Sequence, residues 1–359
     1  TTVLDGFTIT AGHANGGDID NYGGGFHCNG ISGRECSPRI TNVIFSANRA
    51  AHCGGAMMNN GANYGVSSPS LTNVTFSANR ADGCGAAMVN GSQTYGISSP
   101  ILTNVTFSGN EATNIGGAIF NDGAWDGVSN PVLINVSFSA NKAEQGGAMY
   151  NRSEEGECSP SLTNVTFSAN KADKGGAMYN YRGSTGTSSI NLTNVIMWGN
   201  DAVTGAQMYN ENTSPSISSS LLEGGIDGSG VFNDPNNGVA DGGGNLAGGS
   251  ADDPLFVEPV SASDAPTTTG NLRLLLGSPA IDVGSDSAIT VTTDPDGRTR
   301  KQDGDGDGET RVDLGAYETT GYYSLVLNKT GNGDGQVYLD PTGNACASPC
   351  AGLYLHGTV

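Results

Sequence analysis

Hydrophobic and polar side chains alternate through a nine-residue segment that recurs along the chain. In LTNVTFSAN at 71–79, Val74 and Phe76 fall on one face and Thr75 and Ser77 on the other, which is the periodicity of a β-strand and excludes a helix. Each copy therefore predicts one strand with a buried and an exposed face. The other five copies stand at 40–48, 102–110, 133–141, 162–170 and 192–200.

The spacing of the copies predicts how these strands assemble. Their shared third residue is an asparagine, and successive copies are 31, 31, 31, 29 and 30 residues apart. Equivalent strands are thus reached in the same direction after a circuit of about 30 residues, so they should stack in parallel about 4.8 Å apart. The predicted fold is all-β, a parallel β-helix, and DGFTITAGHA at 5–14 fits as a further unit.

Five columns of the repeat predict what each coil contributes. Two are apolar and should point inward: Met57, Met88, Ile119, Met149, Met178 and Met208, and Phe45, Phe76, Phe107, Phe138, Phe167 and Met197. Three are asparagine, running from Asn42 to Asn194, from Asn48 to Asn200 and from Asn59 to Asn210. Asparagine tolerates the left-handed conformation at a corner, and stacked carboxamides can form hydrogen-bonded ladders.

Composition narrows the class of partner. Of 359 residues, 36% are hydrophobic and 56 are glycine, so a leucine-rich globule is not expected. The net charge of −20 with only 15 lysines and arginines argues against nucleic acid or an anionic membrane, because no basic patch can assemble. No apolar run approaches the roughly 20 residues of a membrane span. A net negative charge favours divalent cations as partners instead.

The repeat and the region after it resemble known bacterial proteins. SPxLTNVTFSxNxAxxGGAMYN is similar to the right-handed β-helix repeats of polymorphic outer-membrane-protein-like and pectate-lyase-like surface proteins. Residues 252–318, which include NLRLLLGSPAIDVGSD and DGDGDGETRVDLGAYE, resemble the C-terminal region of choice-of-anchor Q β-helix proteins. Residues 322–359 resemble an InlB-like β-repeat that stops before its last strand. These resemblances imply a secreted or cell-surface protein, usually without an assigned activity.

Three regions are predicted on this basis. Residues 1–222 hold the β-helix repeats, 223–320 hold further coils and a cap with an acidic Asp-Gly loop, and 321–359 form a small β module that stops before its last strand.

Cysteine positions favour an oxidising compartment. Cys53 and Cys84 occupy the same repeat position, 31 residues apart, and adjacent coils bring such positions within disulfide reach. Cys28 can pair with Cys36 across the loop CNGISGREC, and Cys346 with Cys350 in CASPC. Buried free thiols or a metal site are the alternative. Cys158 is left without a predicted partner.

The sequence DGDGDG at 303–308 is the strongest local signal for chemistry. Asp303, Asp305 and Asp307 alternate with glycines that permit a tight loop, so they could bind Ca²⁺ in a structural role. Asp313 or Glu309 could complete the cage, and Asp294 and Asp296 are further candidates. Leu314 stands where an EF-hand carries its bidentate glutamate, so this is not an EF-hand. A solvated acidic loop without an ion is the alternative.

Aromatic residues recur at two repeat positions and suggest a binding surface. One set follows the inward Met or Ile and should point outward, and the other lies in the loops after the asparagine corner. Such stacks could hold sugar rings or bury themselves against another subunit, and a purely structural stack is the alternative. The first set is Phe120, Tyr150, Tyr179 and Tyr209, and the second is Tyr64, Tyr95 and Trp125.

Two further functions, polysaccharide cleavage and ice binding, are suggested by other repeat positions. A polysaccharide lyase would need a basic residue or paired carboxylates facing a groove, but Arg49, Arg80, Lys142 and Lys171 share one repeat position, which favours a structural column. Ice binding is suggested by the hydroxyl array of Thr75, Thr106, Ser137 and Thr166 beside Ser77, Ser108, Ser139 and Ser168, although strand propensity also explains it.

The sequence therefore predicts an extracellular, non-enzymatic β-helix, either a cell-surface adhesin or the subunit of a surface assembly. A secreted polysaccharide-binding or lyase-type protein is the second interpretation. Because TTVLDGFTIT and GLYLHGTV both read as strands with an open edge, head-to-tail pairing of copies into a filament is a further expectation. Expected partners are thus another copy of the chain or a cell-surface polysaccharide.

Overall fold

Equivalent segments of successive repeats pair in parallel and in register, as the spacing predicts. Leu71 pairs with Leu102 and Phe76 with Phe107, and the two partners of each pair are 31 residues apart. The computed structural model describes residues 2–327, 337–338, 345–346 and 350–355, and the side chains of 2–18 and 20–321. The body of the protein is a parallel β-helix, which confirms the predicted fold class.

The first and longest sheet has 12 strands and is built from the nine-residue repeat. Its strands are Val3–Asp5, Thr8–Thr10, Arg39–Thr41, Ile44–Ser46, Ser70–Ser77, Ile101–Ser108, Val132–Ser139, Ser161–Ser168, Asn191–Trp198, Ser216–Ser218, Leu221–Leu222 and Ala240–Asp241.

Two further sheets complete each coil. The second sheet consists of short strands at His13–Ala14, Arg49–Ala50, Arg80–Ala81, Glu111–Ala112, Lys171–Lys174 and Asp201–Thr204, with single bridges at Lys142 joining its two parts. The third sheet has eight strands, at Phe26–Asn29, Met57–Asn60, Met88–Gly91, Ile119–Ala124, Met149–Glu154, Met178–Arg182, Met208–Glu211 and Val231–Asn233.

The other elements are short. Antiparallel pairs join Phe256–Glu258 to Asn271–Leu274, Tyr322–Leu327 to Cys350–Leu355, and Val337–Tyr338 to Ala345–Cys346. Helical turns of the 3-10 type occur at Asp18–Asn21, Ser250–Asp252, Ala262–Asp264 and Asp286–Ala288. Within the described parts of the chain, no helix is long and apolar enough to cross a bilayer.

The interior of the coils is filled by the two apolar columns. All members of the methionine and phenylalanine columns are fully buried in one cluster. The phenyl rings of Phe45, Phe76, Phe107, Phe138 and Phe167 stack with centroids 4.6–5.0 Å apart and planes within 6° of parallel. The inward prediction for both columns is confirmed.

Asparagine ladders line the corners, but only one of the three columns is left-handed. In the column from Asn42 to Asn194 every φ lies between 54° and 56°. In the column from Asn48 to Asn200, the preceding Ala or Gly carries the positive φ instead, as at Ala78 and Gly109. Its asparagines are buried and bond both to the next asparagine and to the backbone, for example from Asn79 Nδ2 to Asn110 Oδ1 at 2.9 Å. The predicted ladders are confirmed. The prediction that asparagine is used because it tolerates a left-handed backbone holds only for the column from Asn42 to Asn194.

Residues 252–318 leave the solenoid and fold back over the outer face of the first sheet. Parallel pairing continues only to Ala240–Asp241, while Ile281 and Leu314 pack against Ile196 of the sheet. Backbone and side chain bond across this contact, with Ala316 N donating to Thr166 Oγ1 at 3.0 Å. We call residues 252–318 the covering segment. The predicted boundaries at 222 and 320 stay a prediction.

The covering segment also removes half of the hydroxyl array from solvent. Ser137 and Thr166, with Ser139 and Ser168 beside them, are at most 7% exposed. Ice binding needs a flat, open array, so the interpretation loses half of its proposed surface. Periodicity alone could not show this, because the cover comes from a distant part of the chain.

Two of the predicted disulfides are present. Cys53 and Cys84 are bridged between adjacent coils with Cα atoms 4.6 Å apart, and Cys28 is bridged to Cys36. The side chains of Cys346 and Cys350 lie outside the described residues, so that pairing stays a prediction. Cys158 is free and 1% exposed, and burial raises the pKa of its thiol. The Cys158 thiol is therefore enclosed within the fold and not accessible from solvent.

Candidate binding surface

The outer face of the third sheet carries a continuous column of large side chains. The strands place one residue per coil next to the inward Met or Ile, and parallel pairing aligns these residues in register. From the first coil to the last, the column runs His27, Met58, Val89, Phe120, Tyr150, Tyr179, Tyr209 and Phe232.

The aromatic half of this column is buried, contrary to the expectation of an exposed stripe. Phe120, Tyr150, Tyr179 and Tyr209 point away from the main core but are only 4–9% exposed. The tyrosine rings stack with centroids 4.6–4.7 Å apart, so each ring covers its neighbours. The prediction that these four residues form an exposed stripe is wrong, because a stack at coil spacing shields its own faces.

Charged residues flank the stack and complete its cover. Arg152 lies 5.4 Å above the Phe120 ring and Lys174 lies 5.1 Å above the Tyr209 ring. The hydroxyl of Tyr179 donates to the Glu211 carboxylate. Burial first, and then this hydrogen bond, raise the pKa of Tyr179. These contacts use the aromatic faces and the phenol internally, so the stack stabilises the coils.

Where the aromatic column gives way to Met58 and Val89, the same face opens into a cavity of about 380 Å³. We call it the outer groove. The smaller side chains lower its floor, Phe120 closes one end, and Tyr22 with His52 closes the other. The Cys53–Cys84 disulfide forms part of its lining and ties two of its coils together. The floor is therefore both apolar and covalently fixed.

The polar wall of the outer groove is an ion pair. Asp122 is 3% exposed and accepts from Arg152 Nε at 2.8 Å and from Arg152 Nη2 at 2.9 Å. Gln93 Nε2 donates to the same carboxylate at 3.1 Å. Bidentate geometry fixes both partners and leaves the pair as a rigid, polar edge. This wall can hydrogen-bond a neutral polar ligand, but it offers no net charge.

Histidines border the outer groove at its first coils. The Tyr22 and His52 ring centroids are 4.9 Å apart, and His52 Nδ1 lies 2.9 Å from Cys53 Sγ. His27 is half-buried with no hydrogen-bond partner for Nε2. Burial lowers the pKa of His27, and the nearby Asp20 opposes that shift. His27 is thus neutral near pH 7 and contributes an apolar ring with one open nitrogen.

The second aromatic set is exposed as predicted. Tyr64, Tyr95 and Trp125 are 53–68% exposed, and each has a φ between 50° and 62°. The rings of Tyr64 and Tyr95 stack with centroids 5.1 Å apart. A hydrogen bond with the Asp126 carboxylate is the main cause that raises the pKa of Tyr95. We call these three residues the exposed ladder. It begins four residues after Asn60, which lines the outer groove.

The column of basic residues is structural, as its periodicity indicated. Arg49, Arg80, Glu111, Lys142 and Lys171 lie in register on successive coils of the second sheet. They pair with one another and with neighbouring acids, for example Arg80 with Glu111 at 2.9 Å. Such exposed pairs contribute little to stability, about 0–1 kcal/mol each. None of them reaches the lining of the outer groove.

The acidic loop is only partly arranged as predicted. Asp303 and Asp305 come together with Asp282, each offering an oxygen within 4.8 Å of the others. Asp307 lies outside that group, in the exposed part of the turn, and Asp307 Oδ1 accepts from Glu309 N. Asp313 is buried and its oxygens accept from Asp282 N and Thr319 N. Burial raises the pKa of Asp313 to about 6. Ca²⁺ binding itself stays a prediction.

Sequence reasoning missed several residues of these sites. Asp282 precedes the acidic loop by about twenty residues, and no metal-ligand spacing links them. Asp122 and Arg152 differ from their repeat equivalents Gly91 and Tyr181, so this repeat position has no recurring residue type from which a column could be predicted. Departures from a repeat are the signal that could have found this wall, because a structural column does not require them.

Comparison with known proteins gives one match, to a family defined by its sequence repeat. The sequence model of the Chlamydia polymorphic membrane protein repeat matches residues 104–122. These residues run from the first sheet through the second to the third, so the match covers the greater part of one coil. Curated proteins give no match. The resemblances of 252–318 and 322–359 stay predictions. The chain is a parallel β-helix whose repeat is similar to that of polymorphic membrane proteins.

Proposed function

We propose that the protein is an extracellular, non-enzymatic adhesin of the bacterial cell surface that binds a polysaccharide through the outer groove and the exposed ladder. The coarse part of this proposal rests on the β-helix fold, the two disulfides and the similarity of the repeat to that of a membrane protein family. The finer part, the ligand, rests on the exposed ladder.

The stacking of Tyr64 on Tyr95 in solvent is the observation that carries the choice of ligand. Covering exposed aromatic rings with a flat apolar surface is favourable, because it removes their apolar faces from water. The C–H face of a sugar ring is such a surface. A left-handed backbone is strained at a tyrosine or tryptophan, and all three residues of the exposed ladder adopt it. Such strain is typical of functional sites, so it favours a binding role for these rings. The adjacent Asp122–Arg152 wall provides hydrogen bonds for sugar hydroxyls.

The same geometry argues against cleavage of the polysaccharide. Lyase chemistry needs a basic group free to remove a proton, and glycoside hydrolysis needs two carboxyl groups facing the substrate. Arg152 and Asp122 are bound to each other in the groove wall. His27 and His52 are the remaining candidate bases, and the carboxyl group among the described lining residues, that of Asp122, is bound to Arg152. Binding without turnover fits this lining better.

Affinity electrophoresis through gels containing dextran, xylan or polygalacturonate tests the proposal. We expect retardation in at least one gel, and we expect the Tyr64→Ala/Tyr95→Ala double variant to weaken binding by about tenfold or more, since each ring face contributes roughly 0.5–1.5 kcal/mol. Val203→Ala is the matched control, because Val203 is 87% exposed on the second sheet. Equal mobility of the double variant and the parent in every gel where the parent is retarded would contradict the ladder assignment, and release of unsaturated product would establish the lyase interpretation instead.

Self-association of the chain is a separate part of the proposal. Val3 and Phe7, on the first coil, are 60% and 57% exposed, which leaves apolar surface beside an edge strand. We expect the mass measured by light scattering to rise with protein concentration, and Phe7→Ser to reduce the rise. A constant monomer mass over the whole range would exclude assembly of this chain.

A further inference from the structure

We infer that Asp282, Asp303 and Asp305 form a Ca²⁺ site that fastens the acidic loop at 303–308 to the turn at 278–284 of the covering segment. One carboxylate oxygen from each residue lies within 4.8 Å of the others. Gly304 N and Asp305 N donate to Asp282 Oδ2 at 2.8 and 3.0 Å, so the loop and the turn are already in contact. The site thus differs from a local Asp-Gly loop, because its buried ligand comes from another part of the fold.

The state of the Asp282 side chain is the independent observation. Asp282 is 7% exposed, and its Oδ1 is buried without a hydrogen-bond partner. A buried carboxylate oxygen left unpaired costs free energy that folded proteins normally avoid. The unpaired oxygen belongs to a carboxylate that faces two other carboxylates. A divalent cation would satisfy the oxygen and the excess charge together.

The electrostatic surroundings of Asp282 also favour a cation. Asp282 faces the carboxylates of Asp303 and Asp305 at close range. The basic residues nearest in sequence are engaged elsewhere: Lys301 pairs with Asp286 and Arg311 with Glu309. Three carboxylates therefore share a small volume, and none of them pairs with a lysine or arginine among the residues that the structure describes.

The ligand types indicate calcium rather than a transition metal. Carboxylate oxygens are hard ligands, and Ca²⁺ accepts six to eight oxygens in flexible geometry, some of them from backbone carbonyls and water. Asp303 is held in place because its oxygens accept from Gly306 N and Gly308 N at 2.7 and 3.0 Å. Both glycines have positive φ, of 83° and 94°, which a residue with a side chain would adopt only under strain.

Binding at this site would stabilise the cover of the first sheet. Ile281, next to Asp282, is 4% exposed and packs in the cluster that includes Ile196 of the first sheet. Fixing the turn that holds Ile281 therefore fixes part of the contact between the covering segment and the coils. The inferred role of the ion is structural, and it does not depend on the ligand of the outer groove.

Isothermal titration of the calcium-depleted full chain with CaCl₂ tests the inference. We expect one binding event per chain in the parent, and we expect Asp305→Asn to weaken it by at least about tenfold. Asp307→Asn is the matched control, because it removes the same charge from the same exposed loop outside the group. Thermal unfolding gives a second readout: Ca²⁺ should raise Tm in the parent and in Asp307→Asn, and leave Tm of Asp305→Asn unchanged.

Two results would overturn the inference. Absence of binding heat, with the same Tm in CaCl₂ and in chelator, would show that the Asp282 oxygen is served by water alone. Equal weakening by Asp305→Asn and Asp307→Asn would show general attraction of cations to an acidic loop. Because Asp305 is exposed, its variant should fold, so a loss of binding there cannot be attributed to unfolding.

Discussion

Asn110→Ala should lower the free energy of unfolding by about 3–5 kcal/mol, although it removes only one small polar side chain. Asn110 is fully buried between two coils. Its Oδ1 accepts from Asn79 N and Asn79 Nδ2 at 3.1 and 2.9 Å, and its Nδ2 donates to Phe76 O and Asn141 Oδ1 at 3.1 and 2.9 Å. Four hydrogen bonds are lost together.

The cost arises from the groups that remain. Asn79 Nδ2 keeps its bond to Phe45 O, and Asn141 Oδ1 keeps the bond from Asn110 N. The backbone groups Asn79 N and Phe76 O lose the partner that the ladder gave them, at a corner that water does not reach. Each buried unsatisfied group costs about 1–3 kcal/mol, so the two together account for most of the predicted loss.

Asn73→Gly is the matched control for this prediction. Asn73 belongs to the left-handed column, is exposed, and bonds to Asn42 and Asn104 at 3.1 and 3.2 Å. Glycine adopts its φ of 55° without strain and water replaces the lost bonds, so the expected loss is below about 1 kcal/mol. The measurement is equilibrium denaturation in urea with circular dichroism. Similar losses for the two variants would mean that burial of the ladder is not what makes it stabilising.

These ladders also show what a repeat can reveal before a structure is known. Phe76, Met88 and Asn79 were placed correctly because a residue that recurs at each coil faces the same neighbours in every coil. Their environment is made by copies of themselves, so the sequence contains it. The disulfide between Cys53 and Cys84 followed from the same reasoning, since equal repeat positions are adjacent in space.

The failures have a common cause, which is contact with something outside the repeat. Thr166 is a strand residue on an outward face, and only the return of the covering segment buries it. Asp282 joins Asp303 because that segment turns back on itself. Tyr179 is an intermediate case: alternation gave its direction correctly, but the depth of its burial depends on ring stacking and on the Glu211 contact.

Phe107→Ala should cost about 3–5 kcal/mol, comparable to the loss of Asn110 but for a different reason. Phe107 is fully buried between Phe76 and Phe138, with ring centroids 5.0 and 4.8 Å away. Alanine leaves a cavity inside a solenoid whose backbone is fixed by parallel pairing on both sides, so the coil cannot collapse to fill it. Urea denaturation of the variant and the parent measures the difference.

Comparing two leucine variants separates ring stacking from volume. Phe107→Leu breaks two stacks, whereas Phe167→Leu breaks only the stack with Phe138, because Met197 occupies the column on the next coil. The side-chain volume removed is the same, and both sites are fully buried. At about 0.5–1.5 kcal/mol for each stacked pair, Phe107→Leu should be the more destabilising by roughly that amount. Equal losses would show that apolar burial alone sets the energy of this column, and that the parallel rings follow from the coil spacing without adding stability of their own.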